Sequence, residues 1–276
     1  MGAVLTNCTI VGNVAYNGGG GTAFSTLVDC VVSSNFASNG GGAYLSTLNN
    51  CIVASNGAVQ SGTLATYGGG LTGCFGNNTI ITGNHASFGG GACACALINC
   101  TVVSNTASSG GGVYGSTTFG GNVINNCTIV GNSASSSGGG VNGGSIGAMN
   151  NCIDYYNTSP SGSNYTNIKM NYSCTTPTLN GDTTSFTNAP VFVNMVGGDF
   201  RLQSNSPCIN AGNNSFVTHT TDLDGNPRIG GGTGDIGAYE YQTPRARLAV
   251  AGAQQYGLHT DGSADYADTD GDGMNN

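Results

Sequence analysis

One pairing constrains this chain more than any other feature: a cysteine, an asparagine five residues later, an alanine two further on, then a run of glycines. It occurs as Cys8/Asn13, Cys30/Asn35, Cys51/Asn56, Cys100/Asn105, Cys127/Asn132 and Cys152/Asn157, and Thr79/Asn84 keeps the same frame. Successive asparagines lie 22, 21, 28, 21, 27 and 25 residues apart. The residue two after the cysteine slot is Ile10, Val32, Val53, Ile81, Val102 and Ile129, and Asp154 breaks that series. Ala15, Ala37, Ala58, Ala86, Ala107 and Ala134 follow the asparagines, and glycine triplets close the units at 18–20, 40–42, 68–70, 89–91, 110–112 and 138–140. A fixed period of this size marks a stacked repeat.

Alternation of Cys and Ile/Val with Thr or Ser is strand chemistry. A strand of about five residues, a tight turn and a second short strand after the glycines cannot bury an apolar face alone, whereas stacked coils can. Each coil then pairs with the next at about 4.8 Å, and like side chains fall above like. The asparagines are expected to form an amide-to-amide column and to take the left-handed backbone of a corner. The glycines supply positive φ at another corner. The predicted fold is all-β: a single-stranded right-handed parallel β-helix, with coils over 1–175, then last coils and a C-terminal capping segment over 176–242. The longer spacings fit insertions at 57–67 and 115–122. A leucine-rich repeat has a similar period but needs leucines that are scarce here.

Charge sorts the function classes. Residues 1–150 hold no Lys, Arg or Glu and one Asp, Asp29; all the other acids and all 5 bases come later. A neutral array has no pull on phosphate, which argues against nucleic acid, and no apolar run is long enough for membrane insertion. The first unit begins directly behind Met1 without a basic-then-apolar leader, so the array is expected to start upstream.

Metal binding by the 11 cysteines would favour paired C-x-x-C with His; only Cys93-Ala-Cys95 comes close. Cys8, Cys30, Cys51, Cys100, Cys127 and Cys152 share one column, where a thiol acts as a small hydrophobe. Cys174 and Cys208 lie outside it and are the more plausible bridged pair.

After about 176 prolines and charges enter, and SPCINAGNN (206–214) precedes TDLDGNPRIGGGTGDIGAYEYQ (221–242). This pattern resembles the C-terminal part of bacterial surface β-helix proteins of the choice-of-anchor Q type. The coils resemble those of polymorphic outer-membrane and related adhesin-like proteins, so the likeness covers 7–242. It implies a secreted or cell-surface protein. Asp222, Asp224, Arg228, Asp235 and Glu240 suit a cap over the open sheet end, with a buried Arg228–Asp235 or Arg228–Glu240 pair.

Residues 243–260 read as a linker. DTDGDGMNN (268–276) then resembles the calcium loops of thrombospondin type 3 repeats and dockerins. Asp268, Asp270 and Asp272 would supply oxygens, Met274 a backbone carbonyl, and Asn276 the ninth position, while the acid at position 12 is missing. The other reading of 261–276 is a solvated acidic tail.

Two function classes stand. A non-catalytic scaffold or adhesin would meet glycans or surface proteins through its neutral face, with Tyr16, Tyr44, Tyr67 and Tyr114 as contacts, although corner packing also explains those rings. Its first coil could support end-to-end self-association. The alternative is a carbohydrate-active β-helix, a polysaccharide lyase or glycoside hydrolase, with its catalytic coils after 150 or outside this stretch. Residues 1–150 offer only Asp29 and His85, far from a carboxylate pair. Asp154, Lys169 and Asp182 are the remaining candidates, and His219 and His259 lack any motif.

Overall fold

The structure, a computed structural model, describes residues 2–59, 65–117, 123–144, 146–178 and 182–242. The linker and the calcium-loop residues Asp268, Asp270, Asp272, Met274 and Asn276 lie outside the described residues.

Each full coil carries four short strands where the repeat predicts two. In the second coil they are Thr26–Val28, Val31–Ser33, Phe36–Ala37 and Ala43–Tyr44. Each pairs in parallel with its counterpart one coil on, giving sheets of 8, 8, 5 and 7 strands, here numbered I to IV in that order around the coil. The register places Leu27 over Leu48, Val32 over Val53 and Ala37 over Ala58. The chain is therefore a single-stranded right-handed parallel β-helix, the hand taken by parallel crossovers. No helix among the described residues is long and apolar enough to cross a membrane.

The cysteine does not start a five-residue strand; it sits in the corner between sheets I and II. One left-handed residue makes that corner, as Asn50 (φ 53°), Asn99 (φ 51°) and Asn126 (φ 52°) show. At the next corner the left-handed residue is Ser34, Ser55, Gly83 or Ser104, each directly before a column asparagine. The column asparagines themselves are not left-handed, which corrects the expectation for Asn13, Asn35, Asn56, Asn84, Asn105 and Asn132. Their role is hydrogen bonding alone.

That role is complete. Asn84 Oδ1 accepts from the Asn56 backbone N–H (2.8 Å) and from Asn56 Nδ2 (3.0 Å). Asn84 Nδ2 donates to Val53 O and to Asn105 Oδ1, both at 3.0 Å. The amide contacts run from Asn13 to Asn35, Asn56, Asn84, Asn105, Asn132 and Asn157. Asn35, Asn56, Asn84, Asn105 and Asn132 are 0% exposed, so an unfilled valence there would cost about 1–3 kcal/mol.

The glycine triplets serve close approach more than torsion. Only the first of the second triplet, Gly40, has positive φ (61°). A Cβ on Gly41 would lie 2.3 Å from Gly57 O and 2.5 Å from Gly69 O, so backbone of the next coil fills that space.

Leu27, Leu48, Leu97, Ile124 and Met149 line the interior from sheet I. Gly76 interrupts that column between Leu48 and Leu97. Just before it, at the end of the preceding coil, sheet IV places Leu71 between Ala43 and Ala92. A Cβ on Gly76 would lie 3.0 Å from Leu97 Cδ2 and 4.0 Å from Leu71 Cδ1, so Leu97 and Leu71 together take the volume that Gly76 leaves.

The end of the stack and its flank are covered by different segments. Backbone bonds between Phe186 and Ser173 and Thr175 add a last partial rung. The chain then turns back along the outside of sheet II, beside the stack. Val103, Val130, Ile153 and Cys174 point outward there, against Phe192, Leu202, Cys208 and Ile236. The antiparallel pair Phe192–Asn194 and Asp199–Leu202 belongs to this lateral segment. Corner asparagines anchor it: Asn99 donates to Thr221 O (3.0 Å), Asn126 to Phe216 O (2.9 Å) and Asn151 to Asn213 O (2.9 Å).

Candidate functional site

Three places could carry chemistry: the groove beside the lateral segment, the buried charges within it, and Asp154 inside the coils. The groove lies where cover of sheet II begins. Thr101 and Val103 are already buried, whereas Ile52, two coils earlier, is exposed. A cavity of about 310 Å³ opens at this boundary. Ile80, Thr82 and Ser104 form the coil wall, and Met195, Val196, Phe200 and Tyr239 the opposite one. Val196 is 97% exposed. Among the described residues no charged side chain lines the cavity, so its walls present apolar faces and hydroxyl groups.

The buried charges form a knot. Arg228 Nη1 donates to Glu240 Oε2 at 2.9 Å, which confirms that predicted pair. Arg228 Nη2 reaches the backbone O of Asp235 (2.9 Å) and of Gly237 (2.7 Å), so its tie to Asp235 is to the backbone and not to the carboxylate. Glu240 also accepts from Gly230 N (2.6 Å) and Asp235 N (2.8 Å). Asp235 accepts from Asn210 N (2.7 Å) and Tyr241 N (2.5 Å), and Asp222 from Asn226 N (2.8 Å) and Glu240 N (2.9 Å). Burial pushes Asp235 up to about 6 and Glu240 up to about 8, against the pull of Arg228 toward the charged forms. These carboxylates are spent on orienting backbone.

Asp154 occupies the inward column of sheet II, in register with Ile129 and Thr175. It is 0% exposed, and its Oδ1 accepts from Asn157 Nδ2 at 2.7 Å. Burial raises its pKa well above the ordinary carboxylate range, because a lone charge in an apolar interior is costly. Asp182 is turned to a turn role instead, its Oδ1 taking Thr184 N (2.8 Å) and Ser185 N (3.1 Å). Asp29 makes a left-handed corner, and the His85 ring lies 6.2 Å from that of Phe36. Among the described residues no group of three or more His, Cys, Asp or Glu could hold a metal ion.

The tyrosines do not form one platform. Tyr16 is 82% exposed at the first coil, and Tyr44 meets Phe24 edge-on at 5.7 Å. Tyr67 stacks on Phe88 at 5.3 Å, and Phe88 meets Tyr114 at 5.0 Å. Stacking on Phe88 covers one face of Tyr67, which weakens that ring as a contact for a sugar, while Tyr114 is tilted 57° to Phe88.

The cysteine column obeys a rule that extends beyond cysteine. Cys152 Sγ accepts from Cys127 N (3.4 Å) and donates to Asn150 O (3.1 Å). Ser173 Oγ does the same for Cys152 N (3.1 Å) and Asn171 O (2.9 Å). A second column, absent from the sequence reading, joins Ser25, Ser46, Cys74 and Cys95 at the corner between sheets IV and I. Its signal was a left-handed residue before each small donor: Phe24, Leu45, Gly73 and Ala94.

No family model and no curated protein matches the chain. Among solved structures it is similar to the crystal structure of pectate lyase Pel9A, with 15% identity and a TM-score of 0.48, over 87% of this chain. It spans 65% of that structure's length. The class of protein, a parallel β-helix solenoid, rests on the strand register of this chain itself.

Proposed function

We propose that this chain is a non-catalytic β-helical scaffold of a secreted or cell-surface protein, adhesin-like, that meets glycans or surface proteins through uncharged surface. The supporting observation is the fate of the buried acids. Asp222, Asp235 and Glu240 hold backbone N–H groups, and Asp154 is sealed inside the coils. Acid/base catalysis needs a carboxylate within reach of substrate, and these four are committed to the fold. The neutral groove bounded by Thr82, Ser104 and Tyr239 is the preferred contact surface. Calcium, in this reading, would go to the incomplete loop of Asp268, Asp270 and Asp272, with weak binding or none while position 12 is missing.

The test is a glycan panel, neutral and acidic, scored for both binding and products. Binding without product supports the scaffold reading, and loss of binding on Tyr239→Ala locates it at the groove. Release of unsaturated or reducing sugar ends that reading in favour of a carbohydrate-active enzyme.

A further inference from the structure

The cysteines adopt two arrangements. Those in the columns stack in parallel register on successive coils, so their Cβ atoms are set apart by the coil rise of about 4.8 Å. A disulfide takes a Cβ separation of roughly 3.5–4.5 Å. Their sulfurs are also engaged, as at Cys152 and Cys95, by a backbone donor and a backbone acceptor.

Cys174 and Cys208 meet differently. Cys174 is in register with Ile153, on the outward side of the last strand of sheet II. Cys208 comes from the lateral segment, and both are fully buried in the same apolar cluster at the seam. Both thiols are 0% exposed within that one cluster, and Cys174 Sγ donates to Asn188 O at 3.1 Å. Two side chains therefore approach from opposite elements instead of lying parallel. In the structure both are free thiols.

We propose that Cys174 and Cys208 form a disulfide that staples the lateral segment to the end of the solenoid when the chain folds in an oxidising compartment. The oxidant is a small disulfide, R–S–S–R. One cysteine thiolate attacks it and expels one thiolate; the second cysteine thiolate attacks the mixed disulfide and expels the other. The new S–S bond forms as the R–S bonds break, and two R–SH carry away the two electrons and two protons. Once the segment has docked, the hydrogen bond to Cys208 and burial hold the Cys174 thiol far above its ordinary pKa. A docked thiol is a poor nucleophile.

The experiment refolds the full chain from denaturant in oxidised glutathione and, in parallel, in dithiothreitol. After oxidative refolding, non-reducing peptide mapping is expected to find one linked pair, 174 with 208, and two fewer titratable thiols than the 11 in the chain. The oxidised protein should melt roughly 10 °C above the reduced one. A Cys174→Ser/Cys208→Ser variant should keep the β-sheet circular dichroism and lose that rise; if it does not fold, the peptide map of the parent decides. Eleven free thiols after oxidative refolding, a bridge elsewhere, or an equal rise in the variant overturns the proposal. No ligand enters any readout, so the outcome is independent of the functional reading.

Discussion

Asn84 and Arg228 are both buried polar side chains with several hydrogen bonds, one in the coils and one in the lateral segment. Asn84 is neutral, and its partners are copies of itself and the Val53 carbonyl, each one coil away. Arg228 is charged, and its partners are an acid and three groups from unrelated places, Asn126 among them. A repeat can answer every donor with the same acceptor on the next coil, so it needs no charge. An irregular segment has no next copy, so it uses ions, which reach more partners and hold them harder. The first solution is cheap per unit and extends indefinitely, while the second is local and fragile, because removing one ion strands another.

The largest expected effect follows from that fragility. Above about pH 8, where Glu240 is ionised, Arg228→Met leaves it buried without its cation, and we expect a loss of about 3–5 kcal/mol. Hydrogen exchange should show the loss of protection confined to residues 190–242, with the coils near Asn35 and Asn56 unchanged. Equal loss in the early coils would erase the distinction between the two regions.

Next is the column. Asn84→Ala removes four hydrogen bonds at 0% exposure and should cost about 2–4 kcal/mol in denaturant melts. Asn13→Ala, at the exposed end, should cost less than about 1 kcal/mol. Equal costs at both positions would mean that the column is not cooperative.

Stability should also depend on pH, through raised carboxyl groups in both regions. Burial raises Asp154, Asp235 (to about 6) and Glu240 (to about 8) in the folded state. A raised folded pKa favours the protonated fold, so this contribution is full below about pH 4 and is lost as pH climbs through the folded values. Melting temperature is expected to fall from pH 5 to 9. Asp154→Asn should flatten part of that slope and stabilise the coils at the alkaline end. A variant with the parental slope would show that Asp154 ionises freely.

The smallest effect is Cys100→Ser. Since Ser173 fills an equivalent slot with the same two hydrogen bonds, the change should cost about 1 kcal/mol or less. A loss of several kcal/mol would show that the column needs sulfur for its bulk and not only for its donor.

What was legible in the residues is what repeats. The order of slots in NCTIVGN and its copies determined parallel stacking, the buried asparagine column, the inward Ile/Val series and the small alanine slot. Each copy votes for the same geometry, and the vote needs no knowledge of distant contacts. The Arg228–Glu240 pair was also legible, because few other charges were at hand to partner a buried guanidinium.

Other features depended on contacts between residues far apart in the chain. Four strands per coil instead of two came from corners made by one left-handed residue, a torsion that Asn, Ser, Phe and Leu adopt here without a shared letter. The filling of the Gly76 volume by Leu97 and Leu71 exists only across the coil interior. The lateral course of 187–242, the groove it leaves and the meeting of Cys174 with Cys208 are decided by which outer face of sheet II is apolar at the right coils. Such a segment docks once and leaves no period, so only the packed structure could place it.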